Sequence, residues 1–317
     1  MLRAREPKLL NTEKSIRMLE APSFEDAAKV LTDCGYADMS QMSAREIEAS
    51  LNERRNAIFA ELDNMSPQKE LVDVFRMKYD YHNAKAIIKA EAMDTDATHL
   101  LSGSGRIDGE KLLSLYNGEQ YNDMHGMLKT AVIDAKNELA RTNNPQLADL
   151  ILDKAYFAEI RHAAENVGSG FFNGYADILI DCANLKSAVR VLRMGKSAEF
   201  LESVLIDGGT VSADRLEKVS DKEGLVNLFA HTKLEKAAVL GGEALDGGSM
   251  TAFELECDNA LNMYLASARR VSYGPEAVVE YLAAVESEIT AVRMILTGRL
   301  AGIAPQVIRE RLRDLYA

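Results

Sequence analysis

Apolar positions recur at three-and-four spacing along most of the chain, and the clearest run is 275–297. There Val278, Tyr281, Leu282, Val285, Ile289, Val292, Ile295 and Leu296 fall on one stripe, because residues three, four and seven apart share a helical face. No stretch sustains a period of two, so no sheet is expected. The pattern resolves into hairpins of long helices: residues 43–62 with 67–93, 145–166 with 171–193, and 251–269 with 275–297. Their starts carry chemical signals. Ser23 with Asp26 and Ser43 with Glu46 read as capping boxes, in which a hydroxyl and a carboxylate satisfy free N–H groups of the first turn. Ser66 before Pro67 and Asn144 before Pro145 place a capping side chain ahead of a proline that needs no N–H partner. Gly274 before Pro275 is a weaker version, and Ala304 before Pro305 opens a last short helix. The expected class is all-α.

The second helices of the hairpins open near residues 67, 171 and 275, which recur every 104 residues. A fixed period of this size is the mark of an internal repeat. The repeat is carried by polar residues. The first hairpin has Asp80-Tyr-His-Asn83-Ala-Lys85 and the second Asp181-Cys-Ala-Asn184-Leu-Lys186. The third has the degenerate form Glu288-Ile-Thr-Ala291-Val-Arg293. After each hairpin comes a second element: Gly105-Arg-Ile-Asp-Gly-Glu-Lys-Leu112, then Gly209-Thr-Val-Ser-Ala-Asp-Arg-Leu216, with Gly302-Ile-Ala-Pro-Gln-Val-Ile308 as a loosely matched third copy. Three helical units follow, 1–104, 105–208 and 209–317, in pseudo-threefold relation. The glycine-rich stretches 101–105 and 241–249 read as exposed connections.

Composition agrees. The chain of 317 residues is 47% hydrophobic, with no Trp and six Pro, which leaves long helices uninterrupted and a sizeable core to bury. The net charge of -12 argues against a nucleic-acid partner, since phosphates must be neutralised. It also disfavours direct binding to anionic lipid, and with it direct lipid insertion, so that at a membrane a protein partner would hold the chain. Cys34, Cys182 and Cys257 are odd in number and far apart, as expected of buried thiols in a reducing compartment. No apolar run approaches the ~20 residues that span a bilayer. The thirteen methionines mark either an adaptable binding groove or, the favoured reading, fillers of helical cores.

Candidate chemistry is sparse. Neither glycine-rich stretch is followed by Lys-Ser/Thr or preceded by an expected strand, so neither is a phosphate loop. His82, His99, His125, His162 and His231 have no metal-ligand spacing. No nucleophile elbow is present. That leaves the acid-x-x-Asn-x-base element. Its acid and Asn share a helix face, while the base lies about 140° around and need not pair with the acid. It is either a catalytic acid and base or a polar cluster that ties helices together, and three copies favour the tie. Asp80, Asn83, Lys85, Asp181, Asn184, Lys186, Glu288 and Arg293 are its members. The basic run Arg309-Glu-Arg-Leu-Arg313 is a solvated face or a contact with an acidic partner.

The C-terminal stretch is the most specific. Gly274-Pro-Glu-Ala-Val-Val-Glu-Tyr-Leu282, Glu286-Ser-Glu288, Val292-Arg-Met-Ile-Leu-Thr-Gly-Arg-Leu-Ala-Gly302 and Ile308-Arg-Glu-Arg-Leu-Arg-Asp-Leu-Tyr316 closely resemble the signature of the C subunit family of V-type and A-type ATPases, whose eukaryotic member is the d subunit. Leu152-Asp-Lys-Ala-Tyr-Phe157 with the Asp181 element is similar to the family's central signature, and the first ten residues look like the end of its first helix. The order is collinear along almost the whole chain. Against the family pattern, the chain starts at about the last turn of that helix, and Ala291 stands where Asn is usual. The resemblance implies a three-part helical funnel on the cytoplasmic end of the proteolipid rotor ring, with the tip of the D and F stalk subunits in its central depression. It implies a peripheral, non-catalytic subunit that transmits torque for ATP-coupled proton or sodium transport, with no cofactor and no small-molecule substrate.

Overall fold

The structure is a computed structural model that describes residues 2–65 and 68–315. Among these residues there are helices and turns but no strand. Along the chain run α1 (Thr12–Glu20), α2 (Phe24–Lys29), α3 (Ala44–Met65), α4 (Glu70–Ala92), α5 (Gly109–Asn117), α6 (Gly126–Thr142), α7 (Pro145–Val167) and α8 (Gly170–Arg193). They are followed by α9 (Ala198–Val204), α10 (Ala213–Leu216), α11 (Lys222–Phe229), α12 (Glu235–Leu245), α13 (Met250–Ala266), α14 (Pro275–Leu300) and α15 (Pro305–Arg309). The six helices read from periodicity are α3, α4, α7, α8, α13 and α14. The Ser66–Pro67 start lies outside the described residues; helix is present from Glu70.

The capping chemistry is realised. Ser43 Oγ and N both reach Glu46 at 2.7 Å, and Glu46 N reaches back to Ser43 Oγ. The Ser23 hydroxyl accepts from Asp26 N at 3.1 Å. Asn144 accepts from Gln146 N, with Pro145 as the first residue of α7. Gly274 and Ala304 supply no side-chain cap.

Two compact units divide the described chain. One comprises Ile58–Ala176; the other takes the residues up to Ala57 and from Asp177 onward. In the first, α4, α6 and α7 pack around Tyr81, Ile88, Leu112, Leu128, Val132 and Leu152. In the second, α8, α11, α12 and α13 enclose Leu185, Val189, Leu225, Phe229, Phe253 and Cys257. There α14 also runs nearly enclosed, with Val279, Leu282, Val285, Ile289, Val292 and Leu296 at 0% exposure. All three cysteines are buried and free. The methionines divide: Met18, Met39, Met77 and Met124 are buried, while Met93, Met194 and Met263 are exposed.

The stretch 241–249 corrects the expectation of an exposed loop. Gly241 and Gly242 lie inside α12 and are buried. A Cβ on Gly241 would come to 2.9 Å from Val189 Cγ2 and 3.1 Å from the Phe253 ring. The glycine is there for close helix approach, a use that composition alone confuses with a turn. Residues 101–105 do form a connection, but a half-buried one, with Ser104 at 1% exposure. The Gly241→Val variant should therefore lose about 1–3 kcal/mol of stability by overpacking, read as a lower urea midpoint, with Gly247→Ala in the exposed end of the same stretch as a measure of φ strain alone.

Candidate functional site

The eight residues singled out by the repeat fall in three separate polar clusters. Each is built on the second helix of a hairpin. In the Ile58–Ala176 unit, Asp80 on α4 is 0% exposed. Its carboxylate accepts from Arg106 Nε at 2.6 Å and from Ile107 N at 3.1 Å. Asn83, one turn on, pairs twice with one residue: its Nδ2 donates to Ser102 O and its Oδ1 accepts from Ser102 N, both at 2.8 Å. Lys85 points elsewhere and donates to Asp153 of α7 at 2.6 Å.

The second cluster repeats this plan on α8. Asp181 accepts from Thr210 N at 3.2 Å, from the Thr210 hydroxyl, and from Val211 N at 3.1 Å. Asn184 donates to Ile206 O at 2.7 Å and accepts from Ile206 N at 2.9 Å. Lys186 donates to Asp258 of α13 at 2.5 Å. Gly105 and Gly209 make both acid sites possible. A Cβ on either would fall well inside van der Waals contact with the Asp80 or Asp181 carboxylate.

The third cluster keeps the acid and the base. Glu288 on α14 is 1% exposed and accepts from Leu10 N at 2.6 Å, Tyr36 OH at 2.6 Å and Arg54 at 3.1 Å. Ala291 has no polar group to offer. Arg293 donates to Glu48 of α3 at 2.5 Å and 2.8 Å. The acid and base of one element never meet; each base reaches a different helix, as its position around the helix requires.

The sequence did not reveal the partners. Arg106 also donates to Glu159 at 2.6 Å, and Tyr81 OH donates to the same carboxylate at 2.7 Å. On α14, Glu286 accepts from the buried Arg55 at 2.8 Å. These pairs join residues tens to hundreds of positions apart, and no spacing encodes them. Arg309 and Arg313 of the basic C-terminal run pair with Glu20 and Asp258.

In chemical terms the carboxylates are occupied acceptors. Asp80, Asp181 and Glu288 are at most 3% exposed, and fixed N–H or O–H donors aim at each. A cleft of about 390 Å³ in one unit is lined by Glu91, Tyr116 and Lys136 among others. One of about 530 Å³ in the other is lined by Val239, Ala260 and Met263 among others. None of the eight motif residues lines either cleft.

The model of the ATP synthase (C/AC39) subunit family matches residues 1–311. The chain belongs to this family. Among curated relatives of the C/AC39 chain, the C subunit of the V-type sodium ATPase of Enterococcus hirae is 23% identical, over 100% of this chain and 97% of that protein. The C subunit of the A-type ATP synthase of Methanocaldococcus jannaschii is 24% identical, covering 99% of this chain and 85% of that one. That of Halobacterium salinarum is also 24% identical, over 98% and 95%.

Burial sets the electrostatics of the C/AC39 clusters. It pushes the Asp181 carboxyl up, against the lowering effect of the Thr210 and Val211 hydrogen bonds. Asp80 is likewise raised by burial despite Arg106. Beside Glu288, burial and then that carboxylate push the Tyr36 phenol well up. A carboxyl whose folded pKa is raised contributes stability that is fully present below its unfolded value and lost as pH rises through the folded one. The destabilisation caused by Asp181→Asn, which cannot titrate, should thus be largest around the ordinary carboxyl value of about 4 and shrink as pH rises above it. Urea unfolding of both proteins across that range reads it; a destabilisation that grows with pH would contradict the burial argument.

Proposed function

We propose that this C/AC39 chain is a non-catalytic central-stalk subunit of a rotary V/A-type ATPase. It links the D and F stalk subunits to the proteolipid rotor ring and transmits torque for ATP-coupled proton or sodium transport. The observation that carries the reading is the family match over residues 1–311, joined to relatives named as C subunits of V-type and A-type enzymes. Its site is peripheral, at the cytoplasmic face of the membrane. No helix among the described residues is long and apolar enough to cross a bilayer, so on this reading the ring supplies the anchorage.

A coupler must be stiff and must hold two partners at once. The polar clusters suit stiffness. On this reading Asp80, Asn83, Asp181, Asn184 and Glu288 pin chain segments to long helices, and Lys85, Lys186 and Arg293 tie one helix to another. The repeating plan at Asp80, Asp181 and Glu288 supports three units, 1–104, 105–208 and 209–317, set around a pseudo-threefold axis as a funnel. The fixed donors that fill the Asp80, Asp181 and Glu288 carboxylates favour architecture over an acid–base pair.

Two measurements test this. Tagged protein should capture the D and F stalk subunits, and separately the detergent-solubilised rotor ring; failure to bind either would sink the assignment. Asp181→Ala strands two backbone N–H groups and a hydroxyl, at about 1–3 kcal/mol for each donor left unpaired. It should lower the melting temperature before it weakens ring binding. Unchanged stability with lost binding would make Asp181 a contact residue instead.

A further inference from the structure

The three acids are matched by a succession of features that extends past the polar motif. At Asp80 the backbone donor is Ile107, and the next residue, Asp108, caps α5 through Glu110 N and Lys111 N. At Asp181 the donor is Val211, and the next residue, Ser212, caps α10 through Arg215 N. At Glu288 the donor is Leu10, and the next residue, Asn11, caps α1 through Lys14 N. In each case a buried apolar residue gives its N–H to the acid and its successor starts a helix. The register holds on the other side as well. Fourteen residues after each acid the chain turns left-handed, at Asp94 (φ 51°), Gly195 (φ 62°) and Gly302 (φ 71°).

Gly302 is therefore the counterpart of Gly195, not of Gly105 and Gly209 as its sequence context suggested. The position occupied by Ile107–Asp108 and Val211–Ser212 in the first two copies is held in the third by Leu10–Asn11. The donors for Asp80 and Asp181 lie 27 and 30 residues after the acid, whereas the donor for Glu288 lies 278 residues before it. The base residues follow the same cyclic order. Lys85 of α4 reaches α7, Lys186 of α8 reaches α13, and Arg293 of α14 reaches α3. Each second helix is tied to the first helix of the following hairpin, and the last is tied to the first.

We propose that the segment from Leu9 to Ala21 is the closing element of the third repeat, carried at the opposite end of the chain, and that Glu288 is the clasp that holds it on α14. Further bonds support the clasp. Arg299 near the end of α14 donates to Leu19 O at 3.0 Å and to Ala21 O. Arg309 pairs with Glu20 at 2.9 Å. Tyr36 and Arg54 fill the rest of the Glu288 carboxylate, and the Arg54 guanidinium lies 3.8 Å over the Tyr36 ring. Leu9, Leu10, Met18 and Leu19 are all buried. The first two links of this cycle are local and the third is not. A long-range link has the largest loop-closure cost, so this joint opens as a unit before the α4–α5 and α8–α10 links do.

Hydrogen exchange on the full chain, followed by peptide, tests the clasp without any partner and so independently of the ATPase assignment. In Glu288→Ala the amides of residues 9–21 should exchange at least about tenfold faster, while α6 and α7 keep their protection. Unchanged exchange across 9–21 would overturn the proposal, and so would an equal acceleration everywhere in a folded variant. If Glu288→Ala does not fold, the partly exposed tie decides. Arg293→Glu should speed exchange of residues 9–21, and adding Glu48→Arg should restore protection. A double variant no better protected than Arg293→Glu would overturn the closure.

Discussion

The pairing of a buried carboxylate with the backbone N–H of an incoming chain segment is the interaction on which this protein depends. It occurs at Asp80, Asp181 and Glu288. A carboxylate at the centre of a long helix has no water to ionise against, and a loop crossing that helix has N–H groups with no helix of their own. Each need answers the other, and the loop is fixed at one height on the helix. Asn83 and Asn184 strengthen the lock by presenting both a donor and an acceptor to one residue. Gly105 and Gly209 let the backbone come close enough for it to form.

The base ties differ in energetic character. Lys85–Asp153 and Arg293–Glu48 are partly exposed, so each contributes only about 0.2–1 kcal/mol. Their worth lies in position. They set which helix lies beside which, while the apolar faces of α4, α8 and α14 supply the bulk of the burial. The buried Arg55–Glu286 and Arg106–Glu159 pairs are different. Removing one partner there would break a buried charge-assisted hydrogen bond, which costs far more than losing an exposed pair.

Both kinds of contact are internal to the chain. Ionisable groups are abundant along its long helices, but the motif carboxylates are filled by donors from the chain itself and lie away from both clefts. Here the polar chemistry is spent inward, on holding segments in register.

Much was legible in the linear order of residues. Periodicity and caps placed the six hairpin helices to within a few residues, since both are local effects of one turn of backbone. The acids of the polar motif were also legible, because the acid-x-x-Asn-x-base element recurs in the hairpins and a buried carboxylate has to be answered by something. What answers it was not. Arg106, Glu159, Tyr36, Arg54 and Leu10 come from up to 278 positions away, and neither spacing nor composition records such a distance. The two glycines of α12 were misread for the same reason: whether a missing Cβ makes a turn or a close contact depends on Val189 and Phe253 across from Gly241, and on Lys222 and Val226 across from Gly242. The residues alone thus determined the helices, the polar motif they carry and the all-α class. Tertiary structure decided which distant segment completes each acid, because a hydrogen bond is satisfied by whatever donor the packed chain delivers to it.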